Sequence, residues 1–174
     1  DSIDVDERIK LEEYATAYKA YLNAARTERE AVTEAIAQAE ALGFVPYERG
    51  MVLEPGTKIY KSVRGKALML AVMGRETLDH GANIAAAHVD SPRLDLKPIP
   101  LYEKDEICLL KTHYYGGIKK YQWTTTPLAI HGVVAKKDGT VVTVTVGEEP
   151  GDPIFCVTDL LVHLSADQMR KTLA

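Results

Sequence analysis

Residues 84–92 read Ile-Ala-Ala-Ala-His-Val-Asp-Ser-Pro, and this stretch carries more information than any other part of the chain. Its apolar run predicts a buried, alanine-rich strand over residues 81–90, ending before Ser91 and Pro92. Residues two apart in a strand point to the same face, so His88 and Asp90 are expected to project side by side. A carboxylate beside a histidine fixes the ring tautomer and prepares the other nitrogen as a metal ligand.

Two interpretations of His88 stay open on this pattern alone. A histidine in an apolar strand is often a hydrogen-bonded core residue. Asp90 makes the metal-ligand interpretation about as favoured as the core interpretation, because a buried carboxylate is costly unless it serves a partner. The place at a strand end adds to the second interpretation, since α/β sheets bind ligands at strand termini.

The residues ahead of this stretch predict two helices and then two strands. Apolar side chains from Leu11 to Leu22 recur every three or four residues, and we expect this helix to pack through them. A second helix is predicted to begin at the capping box Thr27-Glu-Arg-Glu30 and to end at Gly43. Strands are expected over residues 57–63 and, buried throughout, 67–73. Helices followed by buried strands predict an α/β or mixed layered domain.

The residues after Pro92 are β-rich and predict a separate subdomain, with a boundary at Ser91 to Leu96. Residues 93–97 alternate polar with apolar side chains, and Pro98 and Pro100 are expected to break this strand. Asp138-Gly139 predicts a hairpin between two apolar runs. Further short strands are predicted at residues 107–110, 128–134 and 141–146. The end of the chain, Asp159 to Leu173, again shows an amphipathic, helix-like pattern.

Composition excludes several classes of protein. The 174 residues are 46% hydrophobic and 26% charged, with a net charge of -4, so no basic face for nucleic acid is expected. No apolar run is long enough to cross a membrane, and we do not expect the acidic, polar N-terminus to be a signal peptide. Cys108 and Cys156 have no C-x-x-C spacing, which fits a reducing compartment, and we expect a cytoplasmic protein.

The remaining histidines favour structural roles on pattern alone. His80 lies in a polar loop, His113 beside a turn and His131 within a strand. On pattern alone, His163 is predicted to lie on the face of a helix. Ser91 lacks the G-x-S-x-G frame of a nucleophile elbow, and no H-E-x-x-H motif is present.

Four strings nevertheless resemble one family when they are taken together. They are Ala87-His-Val-Asp-Ser-Pro-Arg-Leu-Asp-Leu-Lys-Pro98, Lys111-Thr-His-Tyr-Tyr-Gly-Gly-Ile-Lys-Lys-Tyr-Gln-Trp123, Pro127-Leu-Ala-Ile-His-Gly-Val-Val134 and Phe155-Cys-Val-Thr-Asp-Leu-Leu-Val-His-Leu164. They resemble the bacterial branch of the aspartyl-aminopeptidase-type metallopeptidases. The resemblance covers nearly the whole chain and is densest over residues 84–168.

The resemblance implies a layered α/β/α di-metal peptidase domain with an inserted β-rich dimerisation domain. Residues 1–93 would be the N-terminal part of the first, and residues 94–174 the first part of the second. Such enzymes remove N-terminal residues from peptides and assemble through dimers into tetrahedral dodecamers. By resemblance, His88 binds one of two divalent ions, zinc or alternatively cobalt or manganese. Asp90 orients His88, and His163 reaches the substrate in a neighbouring subunit.

Two departures from the family pattern limit what the resemblance implies. Thr124, Thr125 and Thr126 follow Trp123 where eukaryotic relatives carry Phe-Asp-Arg, which leaves their acidic-substrate preference open. The general-base Glu and the other metal ligands of the family lie beyond residue 174, so this chain alone is expected to be inactive. A non-catalytic assembly fragment therefore remains an alternative, and a small-ligand binding module is a third.

Overall fold

The computed structural model describes residues 3–172, and the chain divides into two compact units, Asp1–Asp90 and Ser91–Ala174. The first unit contains two helices and a small sheet. The second contains two β-hairpins and several short 3-10 turns. His88 and Asp90 therefore form the last residues of the first unit.

Both predicted helices are present. The first, α1, spans Val5–Ala24, and its N-cap Asp4 accepts a hydrogen bond from the backbone N–H of Glu7 at 2.8 Å. The second, α2, spans Glu28–Ala41 and begins with the predicted capping box. Glu30 N–H donates to Thr27 Oγ1 at 3.3 Å, and Thr27 N–H donates to Glu30 Oε2 at 2.9 Å. These reciprocal bonds satisfy two N–H groups that have no partner inside the helix.

The two helices differ in burial, and the prediction that α1 packs through its apolar side chains was wrong. Ala31, Val32 and Ala39 of α2 are buried. Within the described residues, α1 buries none of its side chains, and Tyr14 is 73% exposed. An apolar stripe is buried only where a partner surface covers it, and α2 covers little of α1 in the described part of the chain.

A three-stranded sheet follows the helices. Its strands are β1 (Val45–Pro46), β2 (Lys58–Val63) and β3 (Ala67–Val72), in that order, with β1 parallel and β3 antiparallel to β2. Two side chains join β2 to α2: Tyr60 Oη donates to Glu40 Oε1 at 2.6 Å, and Lys58 Nζ donates to the Leu42 carbonyl at 2.9 Å. The bond to Glu40 raises the pKa of Tyr60, because it favours the protonated hydroxyl.

Two burial or strand predictions for the first unit were wrong. The strand β3 is mostly exposed and has no buried side chain, and Met69 is 68% exposed. Residues 81–90 form no strand but run as irregular chain, with Ile84 87% exposed. A strand requires a hydrogen-bonded neighbour, and no described strand pairs with residues 81–90. Alanine-rich apolar sequence alone does not supply that neighbour.

The second unit opens with a long hairpin of β4 (Arg93–Lys104) and β5 (Ile107–Tyr115). The prediction that Pro98 and Pro100 break this strand was wrong, because β4 continues through both of them. They lie in a register shift between Leu96 and Leu101. A bulge tolerates proline because the local ladder hydrogen bonds are already interrupted.

The next hairpin agrees closely with the sequence prediction. The strands β6 (Ile130–Ala135) and β7 (Val141–Val146) pair antiparallel. At the turn, Gly139 N–H donates to the Lys136 carbonyl at 3.0 Å and Thr140 N–H donates to Asp138 Oδ1 at 2.9 Å. The hydrogen bonds from Thr140, chiefly the one from its backbone N–H, hold the pKa of Asp138 below its usual value, because they favour the ionised carboxyl.

The predicted amphipathic helix near the end of the chain was wrong over residues 159–172; Leu173 lies outside the described residues. Only two 3-10 turns occur there, Val162–Leu164 and Gln168–Arg170. Side-chain oxygens in this segment bond nearby backbone groups: Asp159 Oδ1 accepts from Leu160 N–H at 2.8 Å. Such local bonds compete with the helical pattern. Within the described residues, neither α-helix combines the length and the apolar character that a membrane span requires.

Gly147, directly after β7, offers a test of the packing in this unit. Its φ is +103°, and a Cβ there would lie 3.1 Å from Ala129 Cα and 3.2 Å from the Leu128 carbonyl oxygen. Asp152 Oδ2 holds this backbone by accepting from Gly147 N–H at 2.8 Å. We expect Gly147→Ala to reduce the free energy of unfolding by about 2–4 kcal/mol, because backbone strain and overpacking add.

Gly139→Ala is the matched control, because Gly139 has a φ of +86° and its Cβ would meet no described atom within 4 Å. It should lose about 1–2 kcal/mol from strain alone. Urea unfolding curves of both variants measure the difference. Equal losses would show that the close approach at Gly147 carries no cost.

Candidate functional site

The candidate site begins with the ring of His88. Its Nδ1 lies 2.7 Å from the backbone carbonyl oxygen of Asp90 and 3.2 Å from Asp90 Oδ1. A carbonyl oxygen only accepts hydrogen bonds, so Nδ1 carries the proton in the neutral ring. The lone pair is therefore on Nε2, the nitrogen that remains for a metal.

Sequence reasoning placed these two side chains together for a reason that the structure does not support. The expected strand is absent, and the side chain of His88 is 81% exposed, while that of Asp90 is 37% exposed. The shorter contact runs to the Asp90 carbonyl and not to its carboxylate. An irregular chain lets a carbonyl turn towards a side chain two residues earlier, whereas a strand would direct that carbonyl to its neighbour. No sequence motif indicated this backbone partner.

A fixed imidazole tautomer is chemically suited to zinc, but one ligand does not make a site. Catalytic zinc is held by about three protein ligands, usually histidine, aspartate, glutamate or cysteine. Over residues 3–172, no three such residues are grouped so that they could hold a metal ion. The described residues therefore do not by themselves complete a zinc site.

His163 lies in the second unit, in the turn Val162–Leu164, and its side chain is exposed. Exposed apolar side chains flank it on both sides, namely Leu160, Leu161, Val162 and Leu164. His88 belongs to the first unit and His163 to the second.

Arg93 is a residue that sequence reasoning missed. Its Nε donates to Asp95 Oδ1 at 2.7 Å, its Cζ lies 4.1 Å from the centre of the Tyr115 ring, and its Nη1 donates to the Ser91 carbonyl at 3.4 Å. One guanidinium thus ties the chain directly after Asp90 to both strands of the first hairpin. The register that pairs Arg93 with Tyr115 makes this possible, and a short motif cannot reveal it.

The other histidines have partners that suit structural roles. His131 Nε2 lies 2.9 Å from Glu148 Oε1 and joins β6 to the loop after β7. His113 stacks on Tyr114, with ring centres 5.3 Å apart. His80 Nδ1 lies 3.3 Å from Thr77 Oγ1 in an exposed loop.

Comparison with known protein families shows which family the chain belongs to. A family model described as aminopeptidase I zinc metalloprotease (M18) matches residues 21–173. The chain belongs to the M18 family. This confirms the resemblance that the four sequence strings indicated.

Bacterial M18 relatives align with almost the whole chain. A probable M18 family aminopeptidase 1 of Clostridium acetobutylicum is 52% identical over 158 residues, which is 88% of this chain and 34% of the relative. Another, from Borrelia garinii subsp. bavariensis, is 41% identical over 170 residues, 98% of this chain and 37% of the relative. The chain thus spans about a third of the length of these curated M18 relatives.

Solved M18 structures confirm the fold class as part of an α/β domain. Aminopeptidase I from Borrelia burgdorferi B31 has a TM-score of 0.87 and 40% identity, covering 92% of this chain and 40% of the other. The Thermotoga maritima aminopeptidase has a TM-score of 0.85 and 42% identity, covering 94% and 36%. A yeast aminopeptidase described as a dodecamer has a TM-score of 0.67 at 21% identity, covering 81% and 34%, and so shares the fold alone.

Proposed function

We propose that the complete protein, of which this chain is the N-terminal part, is a metal-dependent aminopeptidase that hydrolyses N-terminal residues from peptides. The observation that carries the proposal is the ring of His88, which the Asp90 carbonyl holds with Nε2 ready for a metal. Residues 1–93 would belong to the catalytic domain, and residues 94–174 to the inserted dimerisation domain.

The residues of this chain would have three roles. His88 binds one of two divalent ions through Nε2; zinc fits the family, with cobalt or manganese as alternatives. Asp90 orients the ring through its carbonyl and its carboxylate. His163 donates a hydrogen bond to the substrate carbonyl oxygen as negative charge develops there. When bound, the metal ions polarise the scissile carbonyl and lower the pKa of the attacking water.

The proposal includes self-association, because His163 would act in a neighbouring subunit. The exposed apolar side chains beside it, such as Leu161 and Leu164, suit a surface that another copy covers. We infer dimers that assemble into a tetrahedral dodecamer. A cytoplasmic location fits the two free thiols, Cys108 and Cys156.

A second candidate function is a non-catalytic assembly module. The observation that favours it is the missing ligand cluster: residues 3–172 contain no group of three residues placed to hold a metal. This function would apply to the chain by itself, whereas the aminopeptidase function requires the rest of the protein.

Metal removal from the full-length protein tests the aminopeptidase proposal. We expect the protein to hydrolyse aminoacyl-anilides, to lose this turnover after dialysis against phenanthroline, and to regain it when zinc is added back. The isolated chain of residues 1–174 is the inactive control. Full-length protein that carries zinc but hydrolyses no aminoacyl-anilide or peptide would contradict the proposal and support the assembly module.

A further inference from the structure

The segment that carries His163 is closed at its base by one pair of side chains. Gln168 Nε2 donates to Asp159 Oδ1 at 2.7 Å, and the same oxygen accepts from Leu160 N–H at 2.8 Å. A carboxylate only accepts, so the amide nitrogen of Gln168 faces it. We call residues 159–168 the histidine loop and the Asp159–Gln168 bond its clasp.

Local hydrogen bonds, and not apolar packing, hold the shape of the histidine loop. Leu164 N–H donates to the Leu161 carbonyl at 2.8 Å, which forms the turn around His163. Ser165 is 6% exposed, and its Oγ donates to the Val162 carbonyl at 3.1 Å. The apolar side chains beside His163 are exposed. A loop with few buried apolar contacts opens easily, so each bond that closes it has a large effect on its order.

The ionisation of Asp159 supports a clasp that is closed at neutral pH. The bond from Gln168 and then the bond from Leu160 N–H hold the pKa of Asp159 below its usual value. A lowered pKa means that the stabilisation is present above the ordinary pKa of a carboxyl group. It is lost only as the pH falls through the lowered value.

We propose that Asp159 and Gln168 are positioning residues that hold the histidine loop closed, so that His163 meets the substrate in a fixed orientation. This inference rests on the proposed role of His163 in the aminopeptidase reaction. Ordering the ring before the substrate arrives removes an entropic cost from the step in which charge develops. The clasp should therefore act on kcat more than on KM.

The test is Gln168→Glu in the full-length protein, since it keeps the side-chain shape but places a second carboxylate against Asp159. We expect kcat to fall about tenfold with zinc content unchanged. Gln38→Glu is the matched control, because Gln38 Nε2 donates to Glu34 Oε1 at 3.0 Å on the exposed side of α2. It should leave kcat unchanged.

Two further variants separate positioning from a general folding role. The exchange Asp159→Asn with Gln168→Glu reverses donor and acceptor, and should restore kcat to within about threefold of the parent protein. In a His163→Ala background, Gln168→Glu should cause no further loss, because no ring remains to be positioned. An equal tenfold loss in that background, or no loss with His163 present, would overturn the inference.

Failure of the two proposals can be told apart. If His163→Ala leaves turnover unchanged, the role of His163 itself is wrong, and the positioning role falls with it. If His163→Ala reduces turnover but Gln168→Glu does not, only the clasp inference is wrong.

Discussion

Replacing His88 with alanine in the full-length protein is expected to reduce aminopeptidase turnover at least about a thousandfold. Loss of a ligand that places a Lewis acid removes several kcal/mol of transition-state stabilisation. The variant should also lose roughly half of its bound metal, because His88 would serve one of two ions. Aminoacyl-anilide assays and elemental analysis measure the two effects. Unchanged turnover would show that His88 is not a ligand of the catalytic metal.

Asp90→Asn is the informative companion to His88→Ala. It removes the carboxylate 3.2 Å from Nδ1 but keeps the backbone carbonyl at 2.7 Å, so the ring tautomer survives. Changes to groups that orient a metal ligand typically cost 10–100-fold, and we expect about tenfold here, at the lower end of that range. A loss as large as that of His88→Ala would show that the carboxylate, and not the carbonyl, controls the ring.

The second large effect is expected from His163→Ala. Loss of a hydrogen-bond donor to a developing oxyanion costs about 10²–10³-fold in kcat. Zinc content should stay at the parent level, because His163 would contact substrate and not metal. A loss of metal together with turnover would contradict this role.

Co-expression of His88→Ala and His163→Ala subunits tests whether His163 acts across an interface. A mixed dimer then contains one intact site, with His88 from one subunit and His163 from the other. Random pairing makes half of the dimers mixed, so roughly a quarter of the parent turnover should return. If His163 served its own subunit, no subunit would hold both residues and no turnover would return.

Local features of the fold were predictable from the sequence. The capping box at Thr27 and the Asp138-Gly139 hairpin are closed by neighbouring residues, so short motifs contain the information that they require. The irregular path of residues 81–90 was not predictable, because a strand there depends on a partner strand that no described residues supply. The prediction that the prolines break β4 failed for a similar reason, since a bulge tolerates them only within a paired hairpin.

For the candidate site, the sequence indicated which residues take part but not which of their atoms are in contact. The spacing of His88 and Asp90 was enough to nominate a ring and its partner. It was not enough to show which atom of Asp90 lies closest to Nδ1, because that depends on the backbone path. Pattern alone also interpreted His163 as a residue on a helix face, since Asp159 and Gln168 meet only when the chain folds back over nine residues.

The sequence by itself determined the two helices, the second hairpin, membership of the M18 family and the nomination of His88, Asp90 and His163. Capping, turn geometry and motif spacing depend on residues close in the chain, so the linear order specifies them. Only the tertiary structure decided the Asp90 carbonyl as the partner of His88, the bulge in β4 and the clasp of the histidine loop. Each of these is a contact between atoms whose approach depends on the path of the backbone, which no local pattern encodes.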